Sequence, residues 1–509
     1  MANGGPAKPN RMWYQSPYNR RRRWPTVFIV CLLLSSAMGK GFSLPLGASS
    51  AITRHSSLYG RAIEIDPGFP YFQNRSPDSI AEELKIHGYR VVYYVLTADS
   101  DVQPALIQAL HRHGIRVWYA TFVNGVYSRK DLPADWPAWR MVTRGDLAGR
   151  PVEDGFTRLC LNNAQYRAWK KQQIVKMLTT YPFDGVALME PYWPEYPGPQ
   201  SPEYGCFCAA CRAAFQRMFP GSPLPDILHP DSPNSPAQNP TLWQNWLAFR
   251  RASVIACLSD LINGPGGIRA KVPSKPVCVW TLALDVPNAA QQLADIYGLD
   301  AAAIATQVRP DAICFETDWP DWSRPDLPPD YVKRYAGLFD AVRQVAPHMP
   351  LIMQADIGSE PQDRRSTGWI RAFEKACADL GLQGTLLYAY SLGDATYHEP
   401  PKVAKVCIRR HQIQLVFTSC VGASSAGDTL HYTFSAGALE KAVVDGNRVT
   451  LIPKTPPAKG AVCTLTLRFI ANDPARLFFH DTPPAVLQEQ TLSFVWQEGL
   501  EVSLARRSL

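Results

Sequence analysis

Seven acidic residues stand where apolar runs of this 509-residue chain end: Glu64, Asp66, Glu190, Asp285, Glu316, Asp318 and Asp356. Carboxyl groups held at the ends of buried segments suit proton transfer, because burial raises their proton affinity toward neutrality. Two of them can break a glycosidic bond. One protonates the leaving oxygen, and the other attacks the anomeric carbon or activates water. Glu190 has the setting such an acid needs, with Met189 before it and Pro191, Tyr192 and Trp193 after it. Glu316, Asp318 and Asp356 are the candidates for the second carboxyl. Asp66, which precedes Pro67, reads equally well as an ion-pair or capping residue.

Aromatic residues crowd the same positions. Trp118, Tyr192, Trp193, Trp280, Trp319, Trp322 and Tyr390 fall late in apolar runs or just past them, and stacking on sugar C–H faces is the use this composition suggests. Tyr119 and Tyr388 fit a packed interior at least as well. A third constellation is Cys206-x-Cys208-x-x-Cys211, three thiols within six residues. Three thiols cannot all pair with one another. Their spacing suits thiolates converging on one tetrahedral ion, with Cys160 placed to supply the fourth ligand. The rival is one disulfide plus free thiols, which export to an oxidising compartment favours. No cofactor is expected for catalysis; a structural zinc is the expected metal.

The elements that position these residues follow from periodicity. Strands are expected at Arg61–Asp66, Arg90–Leu96, Ile115–Phe122, Phe183–Glu190, Pro276–Leu284, Asp311–Thr317, Leu351–Asp356 and Gly384–Ser391. Helical patterns alternate with them, the last at Lys402–His411. Eight such pairs, with runs like VVYYVL and GVALM that are apolar on both faces, predict a closed (β/α)8 TIM barrel over residues 59–411. No Gly-rich phosphate turn follows an early strand, which argues against an open dinucleotide-binding sheet. The stretches Val123–Asn162 and Pro191–Thr241 are long and rich in Trp, Tyr and Pro, and in a barrel both would lie on the catalytic face. Residues 412–509 alternate in short β-patterned runs separated by Gly, Asp, Asn and Pro. They predict a small all-β sandwich domain, read as a structural appendage of the barrel.

Composition limits the alternatives. Of the net charge of +8, six charges come from Lys8, Arg11 and Arg20 to Arg23, which leaves +2 for the rest. A near-neutral chain gives no support to nucleic-acid binding. The basic cluster, the apolar run Val27–Leu34 and the small residues Ser35, Ser36, Ala37 and Gly39 read as a signal peptide over residues 1–39, followed by a linker at 40–58. The apolar run is too short to span a bilayer, so no stable membrane span is expected after cleavage. The expected location is secreted, periplasmic or cell envelope, and oligomeric state is not readable.

Cys160-Leu-Asn-Asn-x-x-Tyr166-Arg167, then Phe183-Asp-Gly-Val with an acid at the strand end, then Cys206-x-Cys208-x-x-Cys211 and Ala-Ala-Phe215, resembles one set of barrel enzymes. These are the family 42 β-galactosidases and the uncharacterised glycoside-hydrolase-like barrels related to them, matched over about residues 160–215. The resemblance implies a structural zinc held by Cys160, Cys206, Cys208 and Cys211, and Glu190 as the general acid/base. The chain departs from family 42 in having Met189 where that family has Asn. It ends strand seven in Gln354-Ala355-Asp356 where that family has its nucleophilic Glu. In barrels that draw their pair from strands four and six, Asp318 or Glu316 would be the partner, with Asp356 third. The expectation is an exported glycoside hydrolase acting on an oligo- or polysaccharide. The alternative is a non-catalytic carbohydrate-binding barrel of the cell envelope.

Overall fold

The computed structural model describes residues 59–194, 197–361, 364–388, 397–477 and 482–504. The expected signal peptide and linker, and Tyr390, lie outside the described residues. Eight parallel strands close into a barrel: β1 Arg61–Ile65, β2 Val91–Val95, β3 Arg116–Phe122, β4 Gly185–Met189, β5 Val277–Ala283, β6 Ala312–Thr317, β7 Leu351–Asp356 and β8 Gly384–Tyr388. The ring is sealed by β1 against β8, with Ala62 opposite Leu386 and Ile63 opposite Leu387. The main surrounding helices are α1 Pro77–Ile86, α2 Pro104–Arg112, α3 Ala164–Thr180, α4 Ala209–Met218, α5 Pro240–Asn263, α6 Ala289–Tyr297, α7 Ala336–Val345 and α8 Thr367–Asp379. No described helix is long and apolar enough to cross a membrane.

Strand parity divides the side chains into two cores, because successive residues face opposite sides of a strand. Ala62, Tyr93, Trp118, Ala187, Cys278, Trp280, Cys314, Ile352 and Leu386 fill the barrel interior. Ile63, Val92, Val117, Val186, Val279, Ile313 and Met353 face the helices. The helices begin where local chemistry allows. Ser76 caps α1 by accepting from the Ser79 N–H (3.2 Å), with Pro77 as first residue. Asn163 caps α3 by accepting from the Tyr166 N–H (3.0 Å), satisfying amides that no earlier turn can reach.

One expected element is different. Lys402–His411, read above as the last barrel helix, contains the strand β9 Val403–Arg409, paired antiparallel with β10 Gln412–Phe417. Its residues are mostly buried without alternation, and period alone does not separate a short buried strand from a helical segment. The β-rich domain therefore takes in Val403 as well as residues from 412 on. Its remaining strands are β11 Tyr432–Phe434, β12 Leu439–Asp445, β13 Arg448–Pro453, β14 Val462–Ala471, β15 Val486–Val495 and β16 Glu501–Ser503. They form a five-stranded sheet, β12-β13-β10-β9-β16, and a three-stranded sheet, β11-β14-β15. Ile408, Leu415, Val449, Leu465, Leu467 and Phe494 are among the residues of their shared core.

This domain is seated on α1 by buried polar contacts. Arg75 bonds Glu83 (2.7 Å), Cys420 Sγ (2.9 Å) and Asn447 (3.1 Å). Glu82 receives Lys405 (2.9 Å) and Arg448 (3.2 Å).

Candidate active site

The interior parity that fills the barrel with apolar side chains puts acids at its C-terminal mouth. On β1 it runs from Ala62 to Glu64, on β6 from Cys314 to Glu316, and on β7 from Ile352 through Gln354 to Asp356. Register sets Glu316 beside Gln354 and Asp356 beside Tyr388. Glu64, Asp318 and Asp356 are buried, whereas Glu190 and Glu316 are half-buried. One buried oxygen of Glu64 and one of Glu316 have no hydrogen-bond partner, nor have Gln354 Oε1 and Asn124 Oδ1.

Glu190 reaches this mouth by a different route. It follows Met189, which points inward, so in a continuing strand it would face the helices. Instead its backbone turns left-handed, with φ +46°, a conformation that costs a non-glycine residue roughly 1–2 kcal/mol. The turn brings the carboxyl into electrostatic reach of Glu64 and Glu316. Burial pushes Glu190 up to about 7, opposed by the Arg158 guanidinium and the Asn124 amide and reinforced by Asp154. Arg158 is held by Asp154 through two bonds, 3.1 and 2.7 Å. The Asn124 amide also donates to the Tyr192 carbonyl (3.2 Å). Both residues belong to the excursion after β3, where Gly125–Val126 pairs with Thr157–Arg158.

The other acids differ in how far their oxygens are committed. Glu316 is raised well above the usual carboxylate range by burial and then by Glu190, Glu64, Asp318 and Asp356. Glu64 is raised in the same way, by burial and then by Asp356, Glu190 and Asp66. Asp318 is pushed up to about 7 by burial, yet both its oxygens are used, one by the Tyr297 hydroxyl (2.7 Å) and one by the Trp319 N–H (2.8 Å). Asp356 accepts from the Gly358 and Ser359 amides (2.9 and 2.8 Å) and from the Ser359 hydroxyl, holding the turn that follows β7. Of the three candidates for a second carboxyl, Glu316 is the accessible one with an uncommitted oxygen.

The aromatic expectations divide. Tyr192 is half-buried at the mouth, edge-on to Tyr297 at 5.4 Å and near Glu190, Glu316 and Asp318. Trp319 and Trp322 are half-buried at the two ends of the short helix Trp319–Trp322, which Asp318 caps. Trp118 and Trp193 are fully buried and Trp280 is 2% exposed, so none of these offers a face to a sugar. Trp118 stacks on Tyr93 inside the barrel, and Trp280 tilts against the same ring. Trp193 is a wedge: its indole N–H donates to the Arg250 carbonyl (3.0 Å), and Gly298 packs so closely that a Cβ there would sit 2.9 Å from the ring.

Glu64 was among the acids noted in the sequence but not among the chosen candidates. Nothing in the sequence singled out Asn124, Arg158 or Tyr127, which lies within electrostatic reach of Glu190. The only sequence signal for them was the length and aromatic content of the segment that carries them.

The four cysteines form a second centre. Their sulfurs all lie within 4.8 Å of one another, with Cys160 3.4 Å from both Cys211 and Cys208. A disulfide would need about 2.05 Å, and all four thiols are free. A tetrahedral zinc with bonds of about 2.3 Å separates its sulfurs by about 3.8 Å, a spacing between the 3.4 Å contacts and the 4.8 Å outer limit of this cluster. Amide N–H groups of Val142 and Asn162 and the Asn162 side chain point at the sulfurs, each at 3.4 Å, as thiolates require.

No family model matches the chain, and no curated protein matches it. Its fold does resemble solved structures of glycoside hydrolases. The β-galactosidase from Bacillus circulans sp. alkalophilus is 15% identical, with a TM-score of 0.45 over 65% of this chain and 50% of that one. The β-galactosidase from the haloarchaeon Halorubrum lacusprofundi is 15% identical, with a TM-score of 0.41 over 65% and 52%. The endo-1,4-beta-D-mannanase from Thermotoga petrophila is 10% identical, with a TM-score of 0.38 over 65% and 88%. The chain thus spans about half the length of the β-galactosidases it matches.

Proposed function

We propose that the protein is an exported glycoside hydrolase that cleaves O-glycosidic bonds of an oligo- or polysaccharide with two carboxyl groups, Glu190 and Glu316. The observation that carries this reading is the meeting of these two half-buried acids at the C-terminal mouth of the barrel, within electrostatic reach of each other, with one oxygen of Glu316 uncommitted. They titrate as a pair. Glu190 has Arg158 and Asn124 beside it to support its anion, whereas the neighbours of Glu316 that shift it are all acids. The first proton to leave therefore comes from Glu190, and Glu316 keeps its proton for the leaving oxygen. This ordering is the reverse of the role that the family resemblance implies for Glu190. Asp318 and Asp356 hold loops and neighbours in place, and Tyr192, Trp319 and Trp322 supply the aromatic lining. Cys160, Cys206, Cys208 and Cys211 would hold a structural zinc that ties the excursion after β3 to the loop before α4.

Leaving-group dependence tests the roles. With a poor leaving group such as a simple alcohol, Glu316→Gln should lose a factor of about 10²–10⁴ in kcat/KM, while a dinitrophenyl glycoside, which needs no proton, should be turned over nearly as before. Glu190→Gln should lose both. The opposite pattern would return the proton-donor role to Glu190, and wild-type rates in both variants would refute the assignment. The binding-only alternative keeps one specific support: Gln354, an amide, stands on β7 next to Glu316, near where family 42 has its nucleophilic carboxylate. It predicts glycan binding without turnover of any aryl glycoside.

A further inference from the structure

Arg250, on α5, is fully buried, and no carboxylate lies within ion-pair distance of it among the described residues. Arg75 differs, since its buried guanidinium is matched by Glu83 (2.7 Å). An ionised group held out of water without a counter-charge is costly. The groups that could face Arg250 with negative charge are the Tyr204 phenol and the thiols of Cys211 and Cys206. As thiols these are neutral. Four thiolates around one divalent cation, by contrast, leave two negative charges uncompensated. The amide N–H groups aimed at the sulfurs bring partial charges against them. Arg250 brings a full one.

The same residue ties the cysteine loop to the loop that follows Glu190. Its Nη1 donates to the carbonyl of Gly205, next to Cys206, and its Nη2 to the Ile296 carbonyl in α6 (2.5 Å). The guanidinium lies 4.1 Å from the centre of the Tyr204 ring and 5.7 Å from that of Trp193. Trp193, three residues past Glu190, is pinned twice: its indole N–H donates to the Arg250 carbonyl (3.0 Å) and its backbone N–H to that of Tyr297 (3.0 Å). Tyr297 in turn donates to Asp318 (2.7 Å). We infer that Arg250 is the counter-charge of the metal–thiolate centre and the positioning residue through which that centre holds the Glu190 loop. The inference rests on the zinc and hydrolase readings above and gives the metal a hold on the catalytic mouth.

Competition with a chelator measures zinc affinity without turnover. Arg250→Met should bind zinc about 10- to 100-fold more weakly than the wild type, the range for groups that support metal ligands. Arg250→Lys, which keeps the charge, should fall between the two. Arg365→Met removes another buried guanidinium, one that holds the carbonyls of Pro325, Trp322 and Arg324, and should leave zinc affinity unchanged. Hydrogen exchange reads the link to the mouth, and the wild type alone suffices if Arg250→Met does not fold. Stripping zinc should speed exchange in residues 189–194 and 293–298 while α1 stays protected. Equal zinc affinity in Arg250→Met and the wild type, or an equal loss in Arg365→Met, overturns the counter-charge. Unchanged exchange at 189–194 after stripping overturns the link. A protein that takes up no zinc sinks the metal reading together with this inference, while the leaving-group test of Glu190 and Glu316 still decides the hydrolase reading by itself.

Discussion

At the scale of the residue, Glu190 combines two costs: a left-handed backbone and a carboxyl held out of water. Its pKa is raised from the ordinary glutamate value of 4.5 to about 7, so its contribution to stability is fully present below about pH 4.5 and is lost as pH rises through 7. Asn tolerates the left-handed region and carries no charge. Glu190→Asn should therefore be inactive yet more stable than the wild type, by roughly 1–3 kcal/mol at pH 8 and by less at pH 5. Paired urea titrations at the two pH values check this; a loss of stability at pH 8 would count against a strained, buried acid. The same residue marks the limit of what the sequence could reveal. That an acid ends β4 is plain from the apolar run before it. Its aim is set by one dihedral angle that breaks strand parity, and no pattern announces that. Parity did suffice for Glu64, Glu316 and Asp356, because on β1, β6 and β7 the strand itself decides which way the side chain points.

At the scale of the element, the excursion after β3 is the part least legible beforehand. Asn124 and Arg158 sit near Glu190 because the Leu159 N–H donates to the Asn124 carbonyl (2.7 Å) and the Cys160 N–H to that of Trp139 (2.8 Å), contacts between residues far apart in the sequence. Trp193 misled for the converse reason. A tryptophan in a proline-rich loop reads as exposed, but Gly298 and the Arg250 carbonyl make a slot for it. Since Cys160 follows Arg158 by two residues, the thiol cluster anchors the segment that supports the Glu190 anion. Native protein should carry one zinc per chain by metal analysis. Cys208→Ser should lower that stoichiometry, reduce the thermal midpoint by several degrees and shift the pH–rate profile, because Arg158 and Asn124 lose their anchor. Full zinc occupancy with an unmoved profile in that variant would argue against the link.

At the scale of the whole molecule, barrel and sandwich share one polar seam. Arg75 is fully buried beside Glu83, with Cys420 and Asn447 contributed by the β-rich domain. Removing one partner of such a pair strands the other charge, a loss of about 3–5 kcal/mol. Arg75→Met should therefore uncouple the domains, turning a single calorimetric transition into two; one unchanged transition would mean the seam is not what joins them. The eight-strand alternation and the β-rich tail were both readable from periodicity. The handover at Val403 was not, since seven residues, five of them apolar, satisfy either period until their partner β10 is known. The cysteine inventory carries one more consequence. Eleven thiols among the described residues are unpaired, and four of them crowd together just outside bonding distance. If the chain is exported as proposed, maturation has an order: metal must reach those four sulfurs before an oxidant does, because a disulfide formed there first would remove two ligands at once.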